Sequence, residues 1–200
     1  MKKKYVVVLG AGISGIGSAI LAKKKGYDVL VSDINKINKE VKKTFIKYSI
    51  DFEEGRHSEF NKNHTDFIIK SPGISNNSRL IKNLKLKKIN VISEIEFASK
   101  YTNATIIGIT GSNGKTTTTI LTYEILKKGG LSVEIAGNIG NSFAKLVATK
   151  KFDYCVLELS SFQLDDIVNF SPKYAIITNI TKDHLDRYNN NFDDYIKSKL

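Results

Sequence analysis

Apolar positions along the chain fall into short runs separated by glycine turns and by segments of helical spacing. Tyr5–Leu9 is a continuous apolar run of strand length, and Gly10–Gly17 turns it into a helix predicted over Ile16–Lys25. Asp28–Ser32 reads as the next strand, closed by Asp33. A lysine-rich helix over 36–48, an extended piece near Ser49–Glu53 and a strand Asp66–Lys70 follow. A helix near 77–87, a strand Ile89–Ile92 and a helix Glu94–Lys100 complete the first series. A second series begins with a strand at 105–109 and a helix at 116–128. It continues through a strand Ser132–Ala136, a helix at 142–149, strands Asp153–Leu159 and Tyr174–Thr178, and a helix opening at 192–200. Strand–helix alternation of this kind builds mostly parallel sheets covered by helices. The predicted class is α/β, in two domains divided between residues 96 and 97. The second starts at 105 and stops within a helix, which reads as part of a longer protein.

Composition narrows the class. With 41% hydrophobic and 26% charged residues in 200, the chain reads as an ordinary globular protein. No apolar run approaches the roughly 20 residues of a membrane helix, and the basic start at Met1 leads into a strand too short for a signal peptide. Cys155 is the only cysteine, which excludes an intrachain disulfide and fits a reducing cytoplasm; its apolar run reads as an inert core thiol. The net charge of +11 comes almost wholly from lysine, with arginine only at 56, 79 and 187. No basic block is interleaved with aromatics, so nucleic acid is not an expected partner.

The strongest chemical signal is Thr110-Gly-Ser-Asn-Gly-Lys-Thr116, after a β-branched run. Glycine turns expose backbone N–H groups to phosphate oxygens, and a helix N-terminus attracts anions. Gly111, Ser112, Asn113 and Gly114 would form the cradle. Lys115 would neutralise the terminal phosphates, and Thr116 and Thr117 would add hydroxyls. The usual spacing needs glycine at 109, where Ile109 stands, so the loop is a variant. A hairpin turning at Asn113-Gly114 competes with this reading, but the spacing of Ile120, Leu121, Tyr123, Ile125 and Leu126 favours a helix after the loop.

Gly10-Ala-Gly-Ile-Ser-Gly15 fits the dinucleotide pattern G-x-G-x-x-G between strand and helix, with Asp33 18 residues on at a strand end. That pattern alone does not distinguish NAD from another nucleotide diphosphate, and a plain strand–helix turn also satisfies it. Glu158, near the end of an apolar strand, is a candidate Mg²⁺ ligand opposite Thr116, against a solvated edge carboxylate. His184 follows a strand end and is balanced between a ligand and a surface residue. His57 and His64 receive no role, and Tyr195 with its neighbouring lysines reads as a helix surface.

The loop 110–116 resembles that of the Mur ligase family. Gly10–Gly15, Ser71-Pro-Gly-Ile74, Gly137-Asn-Ile-Gly140, Leu157-Glu-Leu-Ser-Ser-Phe-Gln-Leu164 and Asn179–Tyr188 extend the likeness in order along the chain. It is nearest to the branch that joins D-glutamate to UDP-N-acetylmuramoyl-L-alanine. The resemblance implies a Rossmann-like UDP-substrate domain over 1–96, then the N-terminal part of a P-loop-type ATPase domain over 97–200. It implies ATP and two Mg²⁺ ions, an acyl-phosphate intermediate, and a cytoplasmic monomer without membrane or nucleic-acid partners. Ile13, Ser14, Gly15, Asp33, Ser71, Pro72 and Gly73 would hold the UDP end. Thr116 and Glu158 would hold the first metal, and Glu158 and His184 the second. Lys199 would be the carbamylated lysine, with Lys197 competing for that position, and Asn138 would contact the muramoyl substrate. The family's C-terminal domain has no counterpart here, so ligation by this chain alone is not expected. Another ligase of the superfamily, including a folylpolyglutamate-synthase-like one, an NAD oxidoreductase and a non-catalytic nucleotide-binding module remain alternatives.

Overall fold

The computed structural model describes residues 4–58, 60 and 64–200; the basic start at 1–3 lies outside them. The chain divides into two compact units, one formed by Met1–Tyr101 with Ser142–Thr149, the other by Thr102–Asn141 with Lys150–Leu200. Among the described residues no helix is long and apolar enough to cross a membrane.

In the first unit, strands β1 (Tyr5–Leu9), β2 (Asp28–Asp33), β3 (Asp51–Glu54), β4 (Phe67–Lys70) and β5 (Val91–Ser93) form a parallel sheet in the order β3-β2-β1-β4-β5. Val7 pairs with Leu30 on one side and Ile68 on the other. Val7, Leu9, Ile68, Ile81, Leu84 and Ile89 close one core cluster, as the continuous apolar runs of buried parallel strands require. Helices α1 (Ile13–Lys24), α2 (Lys39–Lys47), α3 (Arg79–Leu86) and α4 (Glu94–Ser99) connect the strands. The unit extends beyond residue 96 because Phe97 packs against Tyr27, Phe67 and Tyr101.

Helix α1 starts three residues before its expected position. Gly15 therefore lies in its first turn, where a Cβ would come within 1.8 Å of the Gly10 carbonyl oxygen. Only glycine lets the helix approach the strand turn this closely.

The second unit contains β6 (Thr105–Thr110), α5 (Lys115–Lys128), β7 (Val133–Gly137), β8 (Tyr154–Glu158), a short α7 (Ser161–Leu164), β9 (Tyr174–Ile177), a 3₁₀ turn Leu185–Tyr188 and α8 (Phe192–Lys197). Its parallel sheet runs β7-β8-β6-β9. The intervening helix, α6 (Phe143–Thr149), belongs to the first unit. The hairpin alternative fails, since Asn113-Gly114 leads directly into α5. The apolar spacing identified that helix without identifying its buried face: Tyr123 and Leu126 pack on the core, whereas Ile120, Leu121 and Ile125 are exposed.

Candidate active site

In the first sheet the chain leaves β1 and β4 on either side of the point where strand order reverses, the place where open α/β sheets collect ligands. Gly10 has φ +93°, and a Cβ there would lie 2.7 Å from Ser71 Oγ. The first intrahelical bond of α1 runs from Ile16 N to Gly12 O. The N–H groups of Ile13, Ser14 and Gly15 thus precede the helical ladder, where an anion can take them. Ser71 Oγ is buried without a hydrogen-bond partner. Its turn, Ser71-Pro72-Gly73, is closed by Ile74 N donating to Ser71 O at 3.1 Å, and Lys70 Nζ donates to Ile74 O at 2.6 Å. Asp33 accepts from Ala11 N at 2.7 Å and from Asn35 N at 2.8 Å, one on each oxygen. It braces the glycine loop while each oxygen keeps a further lone pair.

In the second sheet the loop after β6 is a glycine turn that leads directly into α5. Gly111 has φ +145°, and a Cβ would overlap Thr178 Oγ1 at 2.0 Å; Gly114 has φ +78°. Ser112 N donates to Asn179 O at 2.9 Å, and Asn113 N to Asn179 Oδ1 at 3.0 Å. These two N–H groups shape the loop. The N–H groups of Lys115, Thr116 and Thr117 precede the first helical bond, Thr118 N to Gly114 O, a position at which helix N-termini can take an anion. Lys115 Nζ folds onto Gly111 O and Ser112 O at 2.8 and 2.9 Å. This places a cation against the cradle.

Glu158 ends β8, paired in register with Ile109 of β6 and Gly137 of β7, and is 1% exposed. Its Oε1 accepts from Asn138 Nδ2 at 3.0 Å, whereas buried Oε2 has no partner. A buried carboxylate with one oxygen unpaired is costly unless a cation arrives. An unpaired carboxylate oxygen of this kind is a hard donor that suits Mg²⁺. His184 follows β9 in the same unit, just before the 3₁₀ turn. Its ring lies 5.2 Å from Phe162, its Nε2 is 3.6 Å from Asp183 Oδ2, and its side chain is 55% exposed. Among the described residues no three His, Cys, Asp or Glu side chains converge as a metal cluster.

Lys199 is buried, with Nζ donating to Gly111 O at 3.1 Å and Thr110 Oγ1 at 3.2 Å. Burial, then the nearby Lys115 charge, lowers its pKa to about 8. Lys197 is instead exposed beside Asp194. Tyr195 corrects the surface reading: it is 1% exposed, and its hydroxyl lies 2.8 Å from Ser112 Oγ. A six-residue helix offers too little periodicity to mark an inward face. Asn179, Thr178 and Thr181 shape the loop from more than 60 residues away; only the Asn179–Tyr188 resemblance flagged that segment. Cys155 is buried, and burial raises its thiol pKa, as an inert core cysteine requires.

Residues 6–80 match the model of the MurD N-terminal domain, and residues 109–200 that of the Mur ligase middle domain. UDP-N-acetylmuramoylalanine--D-glutamate ligases of Christiangramia forsetii and Porphyromonas gingivalis are similar at 53% and 50% identity over 98% of the chain. The chain spans 44% of the length of each. Among solved structures, a UDP-N-acetylmuramate-alanine ligase from Thermotoga maritima aligns at TM-score 0.59 and 26% identity, over 98% of this chain and 46% of that one.

Proposed function

We propose that this chain, which belongs to the Mur ligase family, provides the UDP-substrate site and much of the ATP site of a ligase joining D-glutamate to UDP-N-acetylmuramoyl-L-alanine. The carrying observation is the meeting of the glycine loop, Lys115, Lys199 and half-paired Glu158 at the C-terminal edge of the second sheet. In this reading the first unit binds the UDP end and the second begins the ATP-binding domain. The protein works as a cytoplasmic monomer without nucleic-acid or membrane partners.

The reaction is a phosphoryl transfer followed by acyl transfer. An oxygen of the alanyl carboxylate attacks the γ-phosphorus of ATP, ADP leaves, and an acyl phosphate results. The D-glutamate amine then attacks the acyl carbon, phosphate departs with the bonding pair, and the nitrogen loses a proton to give the amide. Such transfers depend mainly on positioning and charge neutralisation. The N–H groups of residues 115–117 cradle the phosphates, and Lys115 exchanges its loop carbonyls for phosphate oxygens. Asn138 holds Glu158 and faces the muramoyl end. Ser71 Oγ, the α1 N–H groups and Asp33 hold the UDP portion.

Thr116 and Glu158 would hold one Mg²⁺, and Glu158, His184 and a carbamylated Lys199 the second. Bound Mg²⁺ neutralises charge on the phosphoryl oxygens. A lysine with pKa about 8 keeps an appreciable neutral fraction near neutrality, the form that reacts with CO₂. The test is phosphate release by the protein at the length of its relatives. Release should require both UDP-N-acetylmuramoyl-L-alanine and D-glutamate, and fail with L-lysine or meso-diaminopimelate. Equal turnover with either replacement contradicts the assignment.

A further inference from the structure

His57, in the turn after β3, has no part in the proposed reaction, yet it closes a polar cluster at the C-terminal edge of the first sheet. Ser32 of β2 is fully buried, and Glu53 of β3 lies beside it in register. Ser32 Oγ meets Glu53 Oε1 at 2.6 Å, His57 Nδ1 at 2.7 Å and the Arg56 carbonyl at 3.4 Å. Glu53 also accepts from Ser58 N at 2.8 Å and from the Ser58 hydroxyl, and Arg56 Nε lies 3.9 Å from its Oε2. Burial pushes the Glu53 carboxyl up, but these donors and the Arg56 charge pull it below its ordinary range, so it is an ionised acceptor. A hydroxyl has one proton to give. That of Ser32 goes to the Glu53 carboxylate, the nearer of the two pure acceptors, and His57 Nδ1 must then carry the hydrogen of its own contact.

The same end of β2 shapes the glycine loop. Ser32 O accepts from Gly10 N at 2.8 Å, and the Asp33 carboxylate accepts from Ala11 N at 2.7 Å. Successive side chains of a strand point to opposite faces, so Ser32 is gripped from the face opposite to Asp33. We infer that His57 is a positioning residue for the UDP site, acting through Ser32: donating from Nδ1, it fixes the strand end that carries Asp33 and receives Gly10 N. This rests on the reading of the first unit as the UDP site.

The hydrogen on Nδ1 is read directly. Long-range ¹H–¹⁵N spectra of the 200-residue chain, at a pH where the ring is neutral, should show His57 protonated at Nδ1. A neutral ring protonated at Nε2 overturns the inference. Calorimetric titration with UDP then compares wild type, His57→Ala, Ser32→Ala and the double variant, with melting temperatures alongside. Each single change should weaken UDP binding roughly fivefold, and the double variant should bind no more weakly than Ser32→Ala. A purely structural role would lower melting temperatures and leave the affinity where it was. Asn carries its N–H donor on Cγ, as His carries Nδ1, so His57→Asn should keep most of the affinity. Gln is one methylene longer, and His57→Gln should behave like His57→Ala. The exposed His64 supplies a matched control, and His64→Ala should change nothing. Unchanged UDP affinity in His57→Ala, effects that add in full, equal affinities of the Asn and Gln variants, or an equal loss in His64→Ala overturns the inference. The Asn–Gln comparison and the spectra decide if the alanine variants do not fold. Failure of wild type to bind UDP overturns the UDP reading together with this inference; normal wild-type binding with unaffected variants overturns this inference only.

Discussion

Tyr195 Oη and Ser112 Oγ lie 2.8 Å apart, which ties α8 directly to the phosphate loop. Ser112 Oγ also meets the Thr181 backbone, donating to its carbonyl at 2.8 Å and accepting from its N–H at 2.9 Å. The Tyr195 ring lies under Lys199 Nζ, 5.0 Å from the ring centroid. One side chain therefore braces both the cradle and the lysine beside it.

Tyr195→Phe should retain the ring contacts and lose the hydroxyl bond. The expected cost is about 1 kcal/mol of stability, with Mg²⁺–ATP binding weakened a few-fold. Denaturant titration and calorimetry check this. An unchanged nucleotide affinity would show that the bond does not shape the loop.

Lys199 gives the second unit a defined pH dependence. Its folded pKa of about 8 lies below the 10.5 of an ordinary lysine. Between those values the unfolded chain binds more protons, so this residue's contribution rises with pH through that window. Below pH 8 its cost is fully present. The difference in urea midpoint between wild type and Lys199→Met, followed from pH 7.5 to 9.5, should move in favour of wild type as pH increases. A flat difference contradicts the assigned environment.

Glu158→Gln separates folding from nucleotide binding. Without divalent cation it removes a buried charge whose Oε2 is unpaired, so stability should hold or rise. With Mg²⁺ present, ATP binding should fall roughly tenfold or more, because an anionic oxygen ligand is gone. Melting curves in chelator and titrations with Mg²⁺–ATP give the two readouts. Loss of stability in chelator together with normal Mg²⁺–ATP affinity would make Glu158 a structural residue.

Gly17→Ala places a Cβ 1.9 Å from Ser142 Oγ and 2.8 Å from Lys145 N. The helices must separate, at a cost of about 1–3 kcal/mol. A matched Gly12→Ala change, with open space around the new Cβ, should cost much less. Equal losses would refute the close α1–α6 contact.

Local patterns carried the fold. The β-branched runs at 5–9, 66–70 and 105–109 and the glycines that follow them located the sheets and both glycine loops. Relations across long sequence separations were less legible. No local pattern marks Ser112 and Asn113 as bound to Asn179, or Ser142 as bound to Glu94. Helical periodicity in α5 located a helix but misjudged its face, since the core selected Tyr123 and Leu126 over three more apolar neighbours. Tyr195 was hidden by its polar surroundings, and only packing revealed it. The lysine choice at 197 and 199 likewise depends on burial.

The most direct measurement is calorimetric titration of the 200-residue chain with UDP-N-acetylmuramoyl-L-alanine, with NAD in parallel. The account predicts saturable binding of the UDP compound, weakened by Asp33→Ala, and no competition from NAD. Clear NAD binding by a folded sample that ignores the UDP compound would contradict it.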